Sequence, residues 1–183
     1  MKSSKFNTAI QFVRNLRTTG ALYETSRRVE LEICSKLTKD PNQTYLEFGM
    51  GHGNITREIL KRIAPSSKLY SFEINKEFCQ HVEEEIVDDR LIIVNDGAEN
   101  VTKYVETQVD GIISSIPFTL FPAQKRKVIL ELTKNQLKPG KHLSQVLYST
   151  ILTKLFMEFF PETDIVKLNG IPVEHVHHCR NDG

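Results

Sequence analysis

Apolar and polar positions alternate along this chain in two periods. Runs at 44–48, 68–73, 91–95, 109–114, 141–148, 163–168 and 173–180 are short, apolar and rich in β-branched or aromatic residues, which predicts strands. Three- and four-residue spacing over 5–17, 25–38, 53–63, 76–87, 98–106, 122–136 and 149–160 predicts helices. Strict alternation of the two predicts an α/β fold: a seven-stranded, mostly parallel sheet with helices on both faces. Asn169-Gly170 is too short a link for a crossover, so the last two strands should form an antiparallel hairpin.

The first strand runs straight into Glu47-Phe48-Gly49-Met50-Gly51-His52-Gly53 and then a helix. Three glycines two apart let the chain bend and leave backbone bare for a ligand. The helix start then offers free N–H groups to an anion. This G-x-G-x-G spacing differs from the G-x-G-x-x-G of dinucleotide sites. The second strand ends in Glu73, where a carboxylate can accept both hydroxyls of a ribose, and the third ends in Asp96, which can accept from an adenine amino group. The fourth runs into Ser114-Ser115-Ile116-Pro117-Phe118. All these groups fall at the carboxyl edge of a parallel sheet, where such folds bind ligands.

These residues resemble the class I S-adenosylmethionine-dependent methyltransferases over nearly the whole chain. Glu47, Gly49, Gly51 and Gly53 look like the family's first motif, which holds the methionine part of the cofactor. Glu73-Ile74 stands where the ribose-binding acid and its neighbour stand, and Asp96-Gly97-Ala98 matches the adenine-binding stretch. Leu137-Lys138-Pro139-Gly140 resembles the turn before the fifth strand. The resemblance implies a Rossmann-like fold, S-adenosylmethionine as cofactor and S-adenosylhomocysteine as product.

Composition narrows the acceptor. The 183 residues suit one domain, 1–183, with 1–23 an N-terminal lid segment. A formal charge of +1 argues against a general polyanion binder, so nucleic acid is a weak expectation. Cys34, Cys79 and Cys179 are scattered and form no disulfide framework, which points to a reducing, cytoplasmic setting. No apolar run is long enough to span a bilayer. Phe6, Ile10, Val13 and Leu16 make one helical face, bordered by Lys2, Lys5, Arg14 and Arg17, and no acid precedes Glu24. Residues 1–17 therefore read either as a basic amphipathic helix on an anionic inner-membrane surface or as a lid on the domain's own core.

Ser114-Ser115-Ile116-Pro117-Phe118 resembles both the Asn-Leu-Pro-Tyr type motif of ribosomal RNA adenine dimethyltransferases and the Ser-Gly-Leu-Pro stretch of bacterial phospholipid N-methyltransferases. Three further stretches are similar to the lipid family: Gly20-Ala21 through Arg27, Gln145 through Tyr148, and Asn169 through Val173 followed by Arg180. That resemblance implies an N-methyltransferase acting on the amine of a phospholipid or aminolipid. Ser114, Pro117, Phe118 and Tyr148 are then the residues at the acceptor, with the Ile116 carbonyl orienting the amine and Phe121 lining its path. Thr25 and Ser26 close over the cofactor carboxylate, Ser114 also borders the cofactor, and Arg27 or Arg180 meets the lipid phosphate. A ribosomal RNA adenine methyltransferase, a small-molecule amine methyltransferase and a non-catalytic cofactor-binding module remain alternatives. His175, His177, His178 and Cys179 invite a metal reading. Alternation places His178 opposite the other two histidines, and sulfonium chemistry needs no metal.

Overall fold

The computed structural model describes residues 25–183. The helix expected at 5–17 and the membrane or lid role given to the N-terminal segment lie outside the described residues. Elements follow in the order α1 (Arg27–Ile33), β1 (Thr44–Phe48), α2 (Asn54–Arg62), β2 (Lys68–Phe72), α3 (Lys76–Glu85), β3 (Leu91–Val94), a 3₁₀ turn (Ala98–Lys103), β4 (Gly111–Ser114), a second 3₁₀ turn (Phe118–Leu120), α4 (Ala123–Gln136), β5 (His142–Leu147), α5 (Thr153–Phe159), β6 (Thr163–Leu168) and β7 (Glu174–Arg180). The seven strands form one sheet in the order β3-β2-β1-β4-β5-β7-β6. β1 to β5 run parallel, and β7 inserts antiparallel between β5 and β6.

The central strands are apolar on both faces because helices cover both. On one face Leu46, Phe48, Phe72, Ile112 and Leu143 pack under Ile129 and Leu130 of α4 and Phe156 of α5. On the other, Tyr45, Leu69, Ile113 and Val146 pack under Val29 and Ile33 of α1 and Ile55 and Ile59 of α2. β6, at an edge, is more open and carries Asp164 and Lys167 in exposed positions, which discourages pairing with another chain.

Three expected helices are shorter than the apolar spacing implied, and the one expected over 149–160 spans Thr153–Phe159. The one expected over 25–38 ends at Ile33. The one expected over 98–106 is the 3₁₀ turn Ala98–Lys103, because Asp96 gathers its first residues: its carboxylate accepts from Gly97 N at 2.7 Å and Asn100 Nδ2 at 2.8 Å.

The strand order reverses at β1, which has β2 on one side and β4 on the other. This switch point leaves a crevice outside the carboxyl ends of β1 and β4. The glycine turn leaves β1 there.

Candidate active site

Gly49, Gly51 and Gly53 have φ of 85°, 56° and 81°, the left-handed region that side chains disfavour. The turn is tied to its neighbours by backbone. Gly49 N donates to Phe72 O at 2.9 Å and Ser115 N to Phe48 O at 2.9 Å. The Ser115 hydroxyl donates to Gly49 O at 2.6 Å, joining the loops after β1 and β4. A Cβ added at Gly51 would meet nothing within 4 Å, whereas at Gly53 it would reach Ile86 Cδ1 at 3.0 Å and Val82 Cγ2 at 3.1 Å. Gly51 therefore borders open space, and Gly53 lets α3 pack close.

Glu73, buried at the end of β2, accepts from Gly51 N at 3.1 Å and from Asn75 N at 2.9 Å. One carboxylate thus braces the glycine turn and the start of α3. Asn95 Nδ2 donates to the Glu73 carbonyl at 2.8 Å. Burial disfavours charge on Asp96, but donation from Asn100, Gly97 and Tyr104 outweighs it and holds this carboxyl below its ordinary value. A cleft opens between these loops. It is lined by Gly49, Glu73, Ile74, Asp96 and Ala98 from the segments after β1, β2 and β3, and by Ile116, Pro117 and Phe121 from the segment after β4. Lys125 closes the far side, paired with Glu99 at 2.7 Å and lying 4.9 Å from the centre of the Phe121 ring.

No family model matches the chain. An ornithine lipid N-methyltransferase of Singulisphaera acidiphila is 22% identical over 142 residues, 74% of each protein. A ribosomal RNA small subunit methyltransferase H of Christiangramia forsetii is 30% identical over 86 residues, which is 45% of this chain and 28% of that protein. In three dimensions, the N-methyltransferase NodS of Bradyrhizobium japonicum, solved with S-adenosylhomocysteine, superposes with a TM-score of 0.74 at 12% identity, over 96% of this chain and 99% of its own. This chain has the class I S-adenosylmethionine-dependent methyltransferase fold. With a methyltransferase among its relatives in sequence and methyltransferases among its neighbours in fold, it is an S-adenosylmethionine-dependent methyltransferase.

The site fits that cofactor. Bare, open backbone at Gly51 suits the methionine chain, the Glu73 carboxylate the ribose, and Asp96 the adenine edge. Other residues of this methyltransferase stand differently from what the sequence implied. Glu47 is fully buried on the α2 side of the sheet, away from the cleft, and accepts from Thr56 Oγ1 at 2.8 Å and from the Ser71 hydroxyl. Burial pushes its carboxyl up to about 7, with the charge of Glu73 adding to the rise and both hydrogen bonds opposing it. Ser26 caps α1, accepting from Val29 N at 3.4 Å, and donates to Glu174 Oε2 at 2.9 Å, while Thr25 precedes that cap.

On the acceptor side, Ser114 shares a face with Ile112, and its hydroxyl is buried with no hydrogen-bond partner among the described residues. Phe118, expected at the acceptor, is instead part of the core. It is 1% exposed, packed edge-on against Phe121 and Phe156. The Ile116 carbonyl already accepts from Gln145 Nε2 at 3.1 Å and Phe118 N at 2.9 Å, which uses both its lone pairs and leaves none for an amine. Pro117 does line the cleft. Tyr148 follows β5, 39% exposed.

Neither arginine suits a lipid phosphate. Arg27 is held by Glu30 and Glu58, each at 2.8 Å. Arg180 pairs with Glu162 at 2.6 Å, at the sheet edge opposite the glycine turn, where its partner across the ladder is His142. The histidines of β7 face both ways as alternation required. His177 Nε2 meets Thr153 Oγ1 at 2.9 Å, and His178 lies between Ser144 and Glu32 at 2.8 and 3.1 Å. Sequence reading missed Glu99 and Lys125, and quoted Ser115 and Gln145 only as parts of motifs. The four-residue spacing of Phe121 and Lys125 was the signal available for the far wall.

Proposed function

We propose that this methyltransferase transfers its methyl group to the amine of a phospholipid or aminolipid headgroup. The observation that carries this reading is the similarity to an ornithine lipid N-methyltransferase over 74% of both chains. The cleft supports it, since the wall facing the cofactor residues is apolar (Ile116, Pro117, Phe121) and admits an amine on a greasy carrier.

S-adenosylmethionine, when bound, supplies a methyl on a sulfonium, whose S–C bond breaks as an amine lone pair forms the new N–C bond. The protein's part is placement. The glycine turn and Glu73 fix the cofactor's position relative to Pro117. Pro117 and Phe121 shape the approach of the acceptor. An alkylammonium resembles lysine, with a pKa of about 10.4, so it must lose a proton before attack. With the Ile116 carbonyl occupied, that proton leaves to water at the open rim.

A second reading is favoured by the match to the ribosomal RNA methyltransferase: the acceptor is an RNA base. Offering the protein labelled S-adenosylmethionine with aminolipid and with ribosomal RNA separates the two. Label in the lipid supports the proposal, and label in RNA alone overturns it.

A further inference from the structure

Beyond the cleft, the same edge of the sheet carries an apolar rim. The register Leu147↔His175 sets the end of β5 beside the start of β7, so the segments 148–152 and 169–173 project from adjacent strands. Neither segment contains a charged residue. Their isoleucines point outward: Ile151 is 78% and Ile171 98% exposed, with Val173 at 37% beside them. Two strongly exposed isoleucines on loops from adjacent strands would each gain about 1.5–3 kcal/mol on full burial against an apolar partner. Three exposed cations flank these loops: Arg28, whose Nη1 lies 3.3 Å from Asn169 O, Lys154 in the first turn of α5, and Lys167 near the end of β6. None of the three forms an ion pair among the described residues. The acids of the β6–β7 pair that are exposed, Glu162 and Asp164, lie at its far end, and Glu174 is buried against Ser26.

We propose that Ile151 and Ile171 insert into the surface of an anionic lipid bilayer, with Arg28, Lys154 and Lys167 meeting its headgroups. Apolar tips ringed by unpaired cations match an interface that is greasy inside and negative outside. The inference rests on the aminolipid reading and deepens it: the rim docks the carboxyl edge of the sheet on the bilayer, so that a headgroup amine reaches the cleft without the lipid leaving the membrane.

The test is co-sedimentation of the full chain with vesicles of phosphatidylglycerol and phosphatidylethanolamine, and with vesicles of phosphatidylcholine alone. The wild type should bind the anionic vesicles and prefer them. Ile151→Asp and Ile171→Asp should each weaken binding by about tenfold or more, from the loss of one buried isoleucine. Arg28→Glu with Lys154→Glu should abolish the preference for anionic lipid. Thermal melting should stay at the wild-type value in all variants, since these side chains are exposed. A wild type that binds no vesicles, or isoleucine variants that bind as tightly as the wild type, would overturn the proposal. So would a wild-type dimer that the aspartates split, which would make the rim a subunit interface. Methyl transfer to aminolipid in detergent micelles is measured alongside. Transfer in micelles without vesicle binding overturns the docking surface alone. Isoleucine-dependent vesicle binding without any lipid methylation overturns the aminolipid reading alone.

Discussion

Replacing Gly51 and Gly53 in turn by alanine separates cofactor binding from folding within one loop. Both glycines have positive φ, so either alanine incurs the left-handed penalty of about 1–2 kcal/mol. At Gly51 that is the whole folding cost, because the added Cβ meets nothing within 4 Å. At Gly53 the methyl would lie 3.0 Å from Ile86 and 3.1 Å from Val82, adding an overpacking cost of about 1–3 kcal/mol. Chemical denaturation of the cofactor-free protein should therefore rank Gly53→Ala as the more destabilised. Binding of S-adenosylhomocysteine, followed by calorimetry, should rank them the other way. If the cofactor lies against this open backbone, the Gly51→Ala methyl meets it, and the variant should lose at least about tenfold in affinity, equivalent to about 1.4 kcal/mol. Folded Gly53→Ala should stay within about threefold, roughly 0.7 kcal/mol. A Gly51→Ala protein that binds as tightly as wild type would refute the reasoning, since the open side of the turn would then face no ligand.

Other expectations follow from the same loops. Glu47 has a folded-state pKa of about 7 against an ordinary 4.5, so its ionisation opposes folding. Stability from this group is fully present below pH 4.5 and is lost as pH rises through about 7, by about 3 kcal/mol in all. Glu47→Gln should flatten that decline when denaturation midpoints at pH 5 and pH 8 are compared. Glu73→Gln turns one acceptor into a donor facing a backbone N–H, and should cost about 1–3 kcal/mol in stability and weaken S-adenosylhomocysteine binding by calorimetry. Ser115→Ala removes the 2.6 Å bond to the Gly49 carbonyl and should cost about 1 kcal/mol in a denaturation curve. Ser114→Ala removes an unpartnered hydroxyl and should cost less than Ser115→Ala in the same assay.

The central strands were legible because their apolar runs are buried on both faces and stop at polar turns, and β6 because it is set off by turns on either side. β1 and β6 coincide with their expected ranges, and β7 falls within a residue of its own. The position of one side of the cleft was legible for a related reason: in a parallel sheet, the residue after each strand lands at one edge, so Gly49, Glu73 and Asp96 could be placed there from order alone. The acceptor wall was not. Whether Ser114 or Ser115 turns toward the glycine loop depends on which sheet face lies under α4 and α5. Parity with Ile112 held that information, but the motif likeness drew attention to the chemistry of Ser114 instead. Phe118 was placed at the acceptor by the likeness of its motif. Its burial comes from Phe156, 38 positions later in the chain, and no local pattern announces that contact. The occupancy of the Ile116 carbonyl likewise depends on Gln145, which comes from the neighbouring strand. Ser26 carried a capping signal that fits its observed role better than a cofactor contact does.

The most direct test of the central claim follows the label from S-adenosylmethionine into vesicles containing phosphatidylethanolamine or an amine-bearing ornithine lipid, with ribosomal RNA in parallel. The account predicts label on the lipid amine, lost in Gly51→Ala. Label on RNA with none in either lipid would contradict it.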